Sequence, residues 1–244
     1  MTRVKLSLAY DGSAYHGWQK QPQQDSIQGE LESALQQLTQ TVVPITGAGR
    51  TDAGVHALGQ SAHFDTNMSL SPARWVRALN ALLPKDIAVN RAEFVDDNFH
   101  ARFSAISKTY RYQILNTTEH APLSRHHRVH IHYDLKLQKM RAAAKALSGL
   151  HCFTSFCAAG SVVPDHNIDL HHIKIQKTGD EINITLSARR FLKYMVRNIV
   201  GFLIEVGRGK RSPDEIQDIF NALDRKAAGP TAPAHGLILV EVKY

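Results

Sequence analysis

The chain begins with a strict alternation of apolar and polar residues. The apolar positions are Val4, Leu6, Leu8 and Tyr10. Because the side chains of a strand point alternately to its two faces, this period of two predicts a strand with one buried face. Other short apolar runs bounded by turn residues predict further strands. These runs lie at residues 42–45, 61–64, 86–96, 108–115, 173–176, 182–186 and 237–242.

Apolar residues at helical spacing predict five helices among these strands. Most of them have a start signal, either a side chain that can cap the first turn or a proline at the first position. They are expected to begin at Asp25 or Ser26, at Ser71-Pro72, at Asp134, near residue 190 and at Ser212-Pro213-Asp214-Glu215. The last of these is the pattern of a capping box. The third helix is expected to end at Gly149 and the fourth at Gly207.

The predicted strands and helices do not alternate as regular βαβ units. This order predicts an α+β fold with antiparallel or mixed sheets. The 244 residues, 43% of them hydrophobic, are enough for one large domain or two small ones. We place a boundary near residue 105, which gives an N-terminal α/β domain of residues 1–105 and a C-terminal α/β domain of residues 106–244.

Basic residues outnumber acidic ones by 29 to 22, and the net charge of +7 indicates a polyanionic partner such as nucleic acid. The excess is concentrated between Arg189 and Arg211, where seven basic residues stand against one acid, Glu205. A charge run of this kind is either a contact surface for phosphates or a solvated helix face. For Arg208, Lys210 and Arg211 both interpretations stay open.

Cysteine content and hydropathy indicate the compartment. Cys152 and Cys157 cannot form a disulfide framework, which is typical of proteins in a reducing environment. No apolar run approaches the roughly 20 residues that a membrane helix needs. The N-terminal residues lead into a strand rather than a signal peptide. We therefore expect a cytoplasmic protein with no membrane partner.

One loop holds the residues that most clearly indicate chemistry. It reads Gly47-Ala48-Gly49-Arg50-Thr51-Asp52-Ala53-Gly54-Val55-His56. Its three glycines allow positive φ angles and close approach of a ligand to the main chain. An ionised carboxylate at Asp52 can act as a nucleophile or a base. Arg50 can pair with that carboxylate or contact a phosphate. A polar turn between a strand and a helix would also have this composition.

This string resembles the active-site motif of the bacterial tRNA pseudouridine synthase A family. Further blocks typical of that family follow in the same order along the chain. They are Tyr10-Asp11-Gly12, Tyr15, Gly17-Trp18-Gln19, residues 98–105, Lys108, Tyr110-Arg111-Tyr112, Phe153-Thr154-Ser155-Phe156, residues 195–201, Ala232-Pro233-Ala234 and Gly236-Leu237. The resemblance therefore runs from about residue 4 to about residue 243.

The resemblance implies a fold and an activity. The fold is a pair of α/β halves with joined, mostly antiparallel or mixed sheets and an RNA cleft between them. The activity is conversion of uridine to pseudouridine at positions 38, 39 and 40 of the tRNA anticodon stem-loop. We expect no cofactor and no metal, because this isomerisation loses no atom and changes no oxidation state. The resemblance also implies a homodimer, in which one protomer measures the tRNA while the other presents its pocket.

The resemblance also implies the roles of single residues. Asp52 matches the catalytic carboxylate. Arg50 would keep it ionised and contact the phosphate of the target nucleotide, while Tyr110 would stack on the uracil and relay the proton that leaves C5. Arg197 either reaches this site as a second arginine or contacts the RNA backbone. Tyr112 points to the same face as Tyr110 and either joins the site or packs in the core.

Two segments are predicted to bind RNA. The first matches a segment that contacts RNA in the family, and its residues are Phe99, His100, Ala101, Arg102 and Phe103. The second is a basic face on the fourth predicted helix, where residues 189, 193 and 197 follow at intervals of four. Its members are Arg189, Arg190, Lys193 and, in one interpretation, Arg197. The stretch 160–167 departs from the family's polar or basic pattern, so we assign no RNA contact to it.

Three other interpretations fit the sequence less well. The 14 histidines suggest a metal site, but the two cysteines form no zinc-ribbon pair and no H-E-x-x-H motif occurs. A non-catalytic RNA-binding or RNA-folding protein would use the same basic surface, but it has no reason to place the acid Asp52 there. A hydrolase acting on a small glycoside would need a second carboxylate, and none is spaced near the motif.

Overall fold

The computed structural model describes all 244 residues, which divide into two compact units. The first unit contains Met1–Ile106 together with Ile238–Tyr244, and the second contains Ser107–Leu237. The predicted domains, residues 1–105 and 106–244, differ from these units at the C-terminus. The last strand folds with the first unit, a pairing between distant parts of the chain that local sequence pattern does not contain.

Ten strands and five helices make up the regular structure, and five single turns of 3-10 helix lie in the connections. In chain order the elements are β1 Thr2–Tyr10, α1 Ile27–Thr39, β2 Thr46–Gly47, β3 His56–Thr66, α2 Pro72–Leu82, β4 Ile87–Val95, β5 Ser107–Asn116, β6 Val129–Ile131, α3 Leu137–Leu147, β7 Gly149–Cys152, β8 Asn167–Thr178, β9 Glu181–Ala188, α4 Met195–Arg208, α5 Ile216–Ala222 and β10 Leu237–Lys243.

The first unit is built on a mixed sheet. β1 lies between β4 and β3 and pairs antiparallel with both, β2 pairs antiparallel with β3, and β10 pairs parallel with β3. The alternating apolar residues of β1 are buried on one face, opposite residues of β3 that share that face. Helices α1 and α2 complete this buried layer. Trp75 of α2 meets Phe64 of β3 edge to face, with their ring centres 5.2 Å apart. The other face of β1 carries Arg3 and Lys5, which contact the predicted RNA-binding segment.

The second unit is also sheet and helix. Its strands follow the order β5-β9-β8-β7 with antiparallel pairing, while β6 pairs parallel with β5. α4 is its central helix, and eleven of the fourteen residues of α4 are buried. A helix buried on nearly every side cannot present a broad basic surface to RNA. Close packing explains a glycine inside it, because a Cβ at Gly207 would lie 2.6 Å from Met140 Sδ on α3.

The predicted fold class is confirmed: helices pack on mostly antiparallel, mixed sheets. The first strand, the hairpin of β8 and β9 and the last strand lie where the alternation placed them. The capping box is also confirmed. The Ser212 side chain accepts a hydrogen bond from the backbone of Glu215, and the Glu215 side chain accepts one from the backbone of Ser212. The RNA cleft between the two halves stays a prediction. None of the five helices is long and apolar enough to cross a membrane.

Two helix starts were predicted wrongly. The third helix begins at Leu137 rather than after Asp134, and the backbone of Lys136 donates to Gly207 O at 2.8 Å. The fourth helix begins only at Met195, after Tyr194 adopts a left-handed φ of 63°, and it ends at Arg208 with Gly209 as its C-cap, instead of ending at Gly207. Just before this helix, Lys193 O accepts from Ala158 N at 2.9 Å. Near both starts the backbone thus bonds to a distant segment.

Two smaller predictions were also wrong. Residues 42–45 form no strand, and only the two residues of β2 pair with β3. Leu82 follows Trp75 and Leu79 at helical spacing and was therefore expected on the buried face of α2, but it is exposed, while Leu83 just beyond the helix is buried. The chain leaves the helix at Leu83, whose ψ of 149° is extended, and this turn exchanges the directions of the two leucines.

Candidate active site

The Asp52 loop connects β2 to β3 and is closed by its own backbone. Val55 N donates to Asp52 O at 3.1 Å, and Gly54 adopts a φ of 75°, which glycine tolerates without strain. Ala48 N donates to Ser61 O at 2.7 Å and ties the entry of the loop to the sheet. Asp52 therefore lies between two parts of the loop that backbone hydrogen bonds hold in place, and it is partly exposed to solvent.

The N-terminal segment 11–18 holds this loop from the other side. Trp18 N donates to Thr51 O at 3.0 Å, and Gly54 N donates to Tyr15 O at 3.3 Å. A Cβ at Gly17, whose φ is 96°, would lie 2.5 Å from Thr51 O. The carbonyl of Val55 approaches Gly12 even more closely. Segment 11–18 and the loop of residues 47–56, which both carry family motifs, thus pack against each other around Asp52.

A buried polar chain supports the loop beneath Asp52. The hydroxyls of Tyr10 and Thr51 are 2.9 Å apart, and Gln60 Nε2 donates to Gly49 O at 2.9 Å and to the Tyr10 hydroxyl at 3.4 Å. Burial raises the pKa of Tyr10 to about 12, so its hydroxyl keeps its proton near neutral pH. These bonds satisfy polar groups of the loop that the core would otherwise leave unpaired.

Arg50 and His56 precede and follow Asp52 in the loop. Arg50 is exposed, and its pairing with Asp52 stays a prediction. Its contact with a phosphate stays a prediction. His56 is buried, with Nδ1 3.0 Å from Asp11 Oδ1 and 3.1 Å from the donating Gly12 N. His56 therefore anchors the start of segment 11–18.

The tyrosines of β5 differ in their surroundings. Tyr110 is buried and meets the Phe191 ring edge to face at 5.1 Å. Tyr112 is fully buried, and its hydroxyl donates to Pro233 O at 2.9 Å. Burial raises the pKa of Tyr112 above its ordinary value. Tyr112 thus packs and anchors segment 229–236, which favours the core interpretation for this residue.

Arg197 lies in the first turn of α4. Its Nε donates to Ala232 O at 2.8 Å, while Ala232 N donates to Arg197 O at 3.0 Å. The guanidinium carbon also lies 5.0 Å from the centre of the Tyr194 ring. Asp52 and Arg50 belong to the first unit, and Tyr110 and Arg197 belong to the second. That all four serve one pocket stays a prediction.

The basic helical face predicted for residues 189–197 was wrong. Arg189 lies in a bend after β9, Arg190 lies in irregular chain and Lys193 in a turn, so only Arg197 is helical. Arg190 Nη2 is bonded to Asp165 Oδ2 at 2.6 Å, inside the stretch that departs from the family pattern. The charge of Arg190 is therefore already paired with a carboxylate. Contact of Arg189 and Lys193 with RNA stays a prediction.

The segment Phe99–Phe103 is the other predicted RNA contact, and its surface suits that role. Phe103 is 67% exposed, the guanidinium carbon of Arg102 lies 5.5 Å from the centre of its ring, and the centre of the His100 ring lies 4.3 Å from it. Exposed aromatic rings and an arginine can stack on bases and contact phosphates. Ala101 is fully buried and is therefore an anchor of the segment rather than a surface contact.

Four side chains of the first unit hold this segment, and sequence reasoning did not find their role. Arg3 Nη1 donates to Phe99 O at 2.8 Å, and the Tyr244 hydroxyl donates to Ala101 O at 2.8 Å. His63 Nδ1 accepts from Ala101 N at 3.2 Å. Lys5 Nζ lies 5.5 Å from the centre of the Phe99 ring and 4.4 Å from that of the Tyr244 ring. The alternation in β1 implied that Arg3 and Lys5 share a face, but not what covers it.

Comparison with known proteins gives consistent matches. The sequence matches the family described as tRNA pseudouridine synthase over residues 7–104 and 143–244. It is 47% identical over 244 residues to the tRNA pseudouridine synthase A of Bacillus subtilis (strain 168), covering 99% of both chains. The protein of the same name from Exiguobacterium sp. (strain ATCC BAA-1283 / AT1b) is 46% identical over 244 residues, covering 100% of this chain and 98% of the relative.

Proposed function

Because the chain belongs to the tRNA pseudouridine synthase family, we propose that it isomerises uridine in the anticodon stem-loop of tRNA, at positions 38, 39 and 40. It is an isomerase acting on uridine in tRNA, as the name shared by its relatives indicates. The observation that carries the choice of catalytic residue is the rigid support of the Asp52 loop. Backbone bonds hold it on both sides, and its partly exposed aspartate remains within reach of a substrate.

The reaction needs one group at the junction of sugar and base. The bond from C1′ to N1 breaks, the uracil turns, and a bond from C1′ to C5 forms. The proton on C5 leaves and N1 gains one, so atoms and electrons balance without an added reagent. Asp52 either adds to the substrate as a nucleophile or removes a proton so that a glycal forms.

The remaining site residues would position the nucleotide. Tyr110 would stack on the uracil and accept or relay the C5 proton. Arg50, which is exposed, would contact the phosphate of the everted nucleotide. Arg197 would hold the Asp52 carboxylate in its ionised form. Its bond to Ala232 O supports this role because it gives the guanidinium a fixed plane.

Contacts outside the pocket would offset the cost of eversion. Taking a uridine out of its stack costs a few kcal/mol, roughly, and contacts to the rest of the RNA must supply that energy. The exposed ring of Phe103 with Arg102 supports such a contact on the first unit. Two copies of the chain would act together, one locating the tRNA body and the other receiving the uridine. Because its substrate is tRNA, the protein would act in the cytoplasm.

Mapping of pseudouridine by position tests the proposal. Unmodified tRNA is incubated with the protein, and pseudouridine is located by carbodiimide adduct formation and primer extension. We expect new pseudouridine at positions 38, 39 and 40 and at no other position. Product confined to a different arm of the tRNA would overturn the assignment of the substrate region, and absence of any product would overturn the activity.

A further inference from the structure

A buried hydrogen-bond cluster lies in the first turn of α4, next to Arg197. The Asn198 side chain at its centre is fully buried. Asn198 Nδ2 donates to Phe156 O at 2.7 Å, and Asn198 Oδ1 accepts from Thr231 Oγ1 at 2.6 Å and from Arg225 Nη2 at 2.8 Å. The amide oxygen of Asn198 and one of its two N–H groups therefore have hydrogen-bond partners, and these bonds fix the orientation of the amide.

Arg225 joins the same cluster. Its Nη2 donates to Thr231 Oγ1 at 2.7 Å and its Nη1 donates to Gly229 O at 2.7 Å. The Thr231 hydroxyl thus accepts from Arg225 and donates to Asn198. All these acceptors are neutral, and desolvation lowers the pKa of the Arg225 guanidinium. A partly buried cation with only neutral partners gains less than a cation in an ion pair, so the cluster supplies geometry rather than charge pairing.

The cluster presses segment 229–232 against α4. Pro230 O approaches the backbone of Gly201 so closely that no Cβ would fit between them. Gly201 lies one helical turn after Arg197 and on the same side of the helix. The segment consequently has one position along α4, defined by contact at Gly201 and by the bonds of Thr231 to Asn198 and Arg225.

This position determines the orientation of Arg197. Ala232 follows Thr231 directly, and its carbonyl accepts from Arg197 Nε. A guanidinium is planar, so a bond at Nε fixes its plane and the directions of both Nη groups. A shift of Thr231 would move the Ala232 carbonyl and turn the guanidinium with it.

We propose that Asn198, Thr231 and Arg225 are positioning residues for the isomerisation, acting through the Ala232 carbonyl on Arg197. The proposal rests on the proposed role of Arg197. None of the three residues needs to touch RNA. Their loss is therefore expected to lower the rate of the chemical step while leaving the tRNA affinity of the enzyme nearly unchanged.

The test compares Thr231→Val, which keeps the shape of the side chain and removes its hydroxyl, with Thr231→Ser, which restores it. Single-turnover rates at saturating enzyme report the chemical step, and KM is measured separately. Thr231→Val should lower kcat about tenfold with KM within about twofold, and Thr231→Ser should retain kcat within about twofold. Thr185→Val is the matched control, since Thr185 on β9 is also half-buried and belongs to none of the hydrogen bonds of this cluster.

A double-mutant cycle separates a positioning role from general loosening of the fold. Arg197→Lys keeps the charge but lacks the Nε that bonds Ala232 O. In that background Thr231→Val should change kcat by less than about twofold, because the path through Arg197 is already broken. Arg225→Met, which keeps an apolar stem without the guanidinium, should show the same dependence on the Arg197 background.

The inference is overturned if Thr231→Val keeps the wild-type kcat, if its effect is the same with Lys at position 197, or if Thr231→Ser does not rescue. Should Thr231→Val fail to fold, the Arg225→Met cycle decides by the same criteria. Failure of the proposed function would look different, because the wild-type protein itself would form no pseudouridine.

Discussion

At the scale of single residues, the position of Asp52 depends on backbone approaches that leave no space for a side chain. Gly17 lies against the carbonyl of Thr51, and Gly12 lies against the carbonyl of Val55. These carbonyls belong to the residue before Asp52 and to the end of its turn. Two glycines more than 30 residues earlier in the sequence therefore determine where the carboxylate stands.

Gly17→Ala should lower kcat by about 10²-fold, because a displacement of the Asp52 loop of about 1 Å misaligns the carboxylate. Its matched control is Gly160→Ala. Gly160 also has a positive φ, 69°, but no atom lies within 4 Å of its added Cβ. Both variants carry backbone strain, whereas only Gly17→Ala moves the loop. Equal kcat values for the two variants in an assay of pseudouridine formation in tRNA would contradict this account.

At the scale of elements, the segment Phe99–Phe103 depends on the protonation state of a histidine on β3. Burial lowers the pKa of His63, the charge of Arg3 and the neighbouring His100 lower it further, and Asp65 opposes the shift. His63 Nδ1 accepts from Ala101 N, which requires that this nitrogen carry no proton. Because the folded-state pKa lies below the unfolded one, this contribution to stability is present above the unfolded pKa and is lost as pH falls through the folded pKa.

The expected consequence is a pH-dependent loss of stability. Between pH 7 and pH 5 the free energy of unfolding in urea should fall more steeply for the wild-type protein than for His63→Gln, which has no titrating ring. Taking the difference between the two proteins removes the contribution of the titrating groups that do not interact with His63. Parallel curves for the two proteins would show that the ring does not support the segment in this way.

The central helix α4 leads to a second prediction at this scale. Alanine is a better helix former than glycine by about 1 kcal/mol, so propensity alone favours Gly201→Ala. Pro230 O blocks that Cβ with backbone atoms, whereas the Cβ of Gly207→Ala meets the flexible side chain of Met140. Urea denaturation should therefore show Gly201→Ala to be less stable than the wild type and less stable than Gly207→Ala. The reverse order would mean that segment 229–232 is held less firmly than its contacts indicate.

At the scale of the whole molecule, the sequence correctly predicted those elements whose position depends on local pattern. Alternation located β1, and the capping box of Ser212 and Glu215 lies within four residues. The predicted start of α4 was wrong: residues 189–194 are not helical, and Arg190 among them bonds to Asp165, 25 residues away. The Asn198–Thr231 bond joins residues 33 positions apart. Asn198 lies within one family motif and Thr231 directly precedes another, but only the folded chain shows that a hydrogen bond joins the two.

Binding of tRNA should depend strongly on salt, since the chain carries a net charge of +7. Arg102→Ala should reduce the slope of the logarithm of the binding constant against the logarithm of salt concentration by about 0.7 to 0.9, the value for one phosphate contact. Arg190→Ala is the control, because its guanidinium is bonded to Asp165. Filter binding at several salt concentrations measures both slopes. An unchanged slope for Arg102→Ala would exclude a phosphate contact at that residue.

The most direct test of the account is the separation of chemistry from binding at Asp52. Asp52→Asn keeps the shape of the side chain and removes its charge, and Asp169→Asn, at an exposed position of β8, is the control. We expect the single-turnover rate of pseudouridine formation to fall more than about 10³-fold in Asp52→Asn, with the Kd for tRNA within about threefold of wild type. A rate within about tenfold of wild type would contradict the assignment of Asp52 as the catalytic carboxylate.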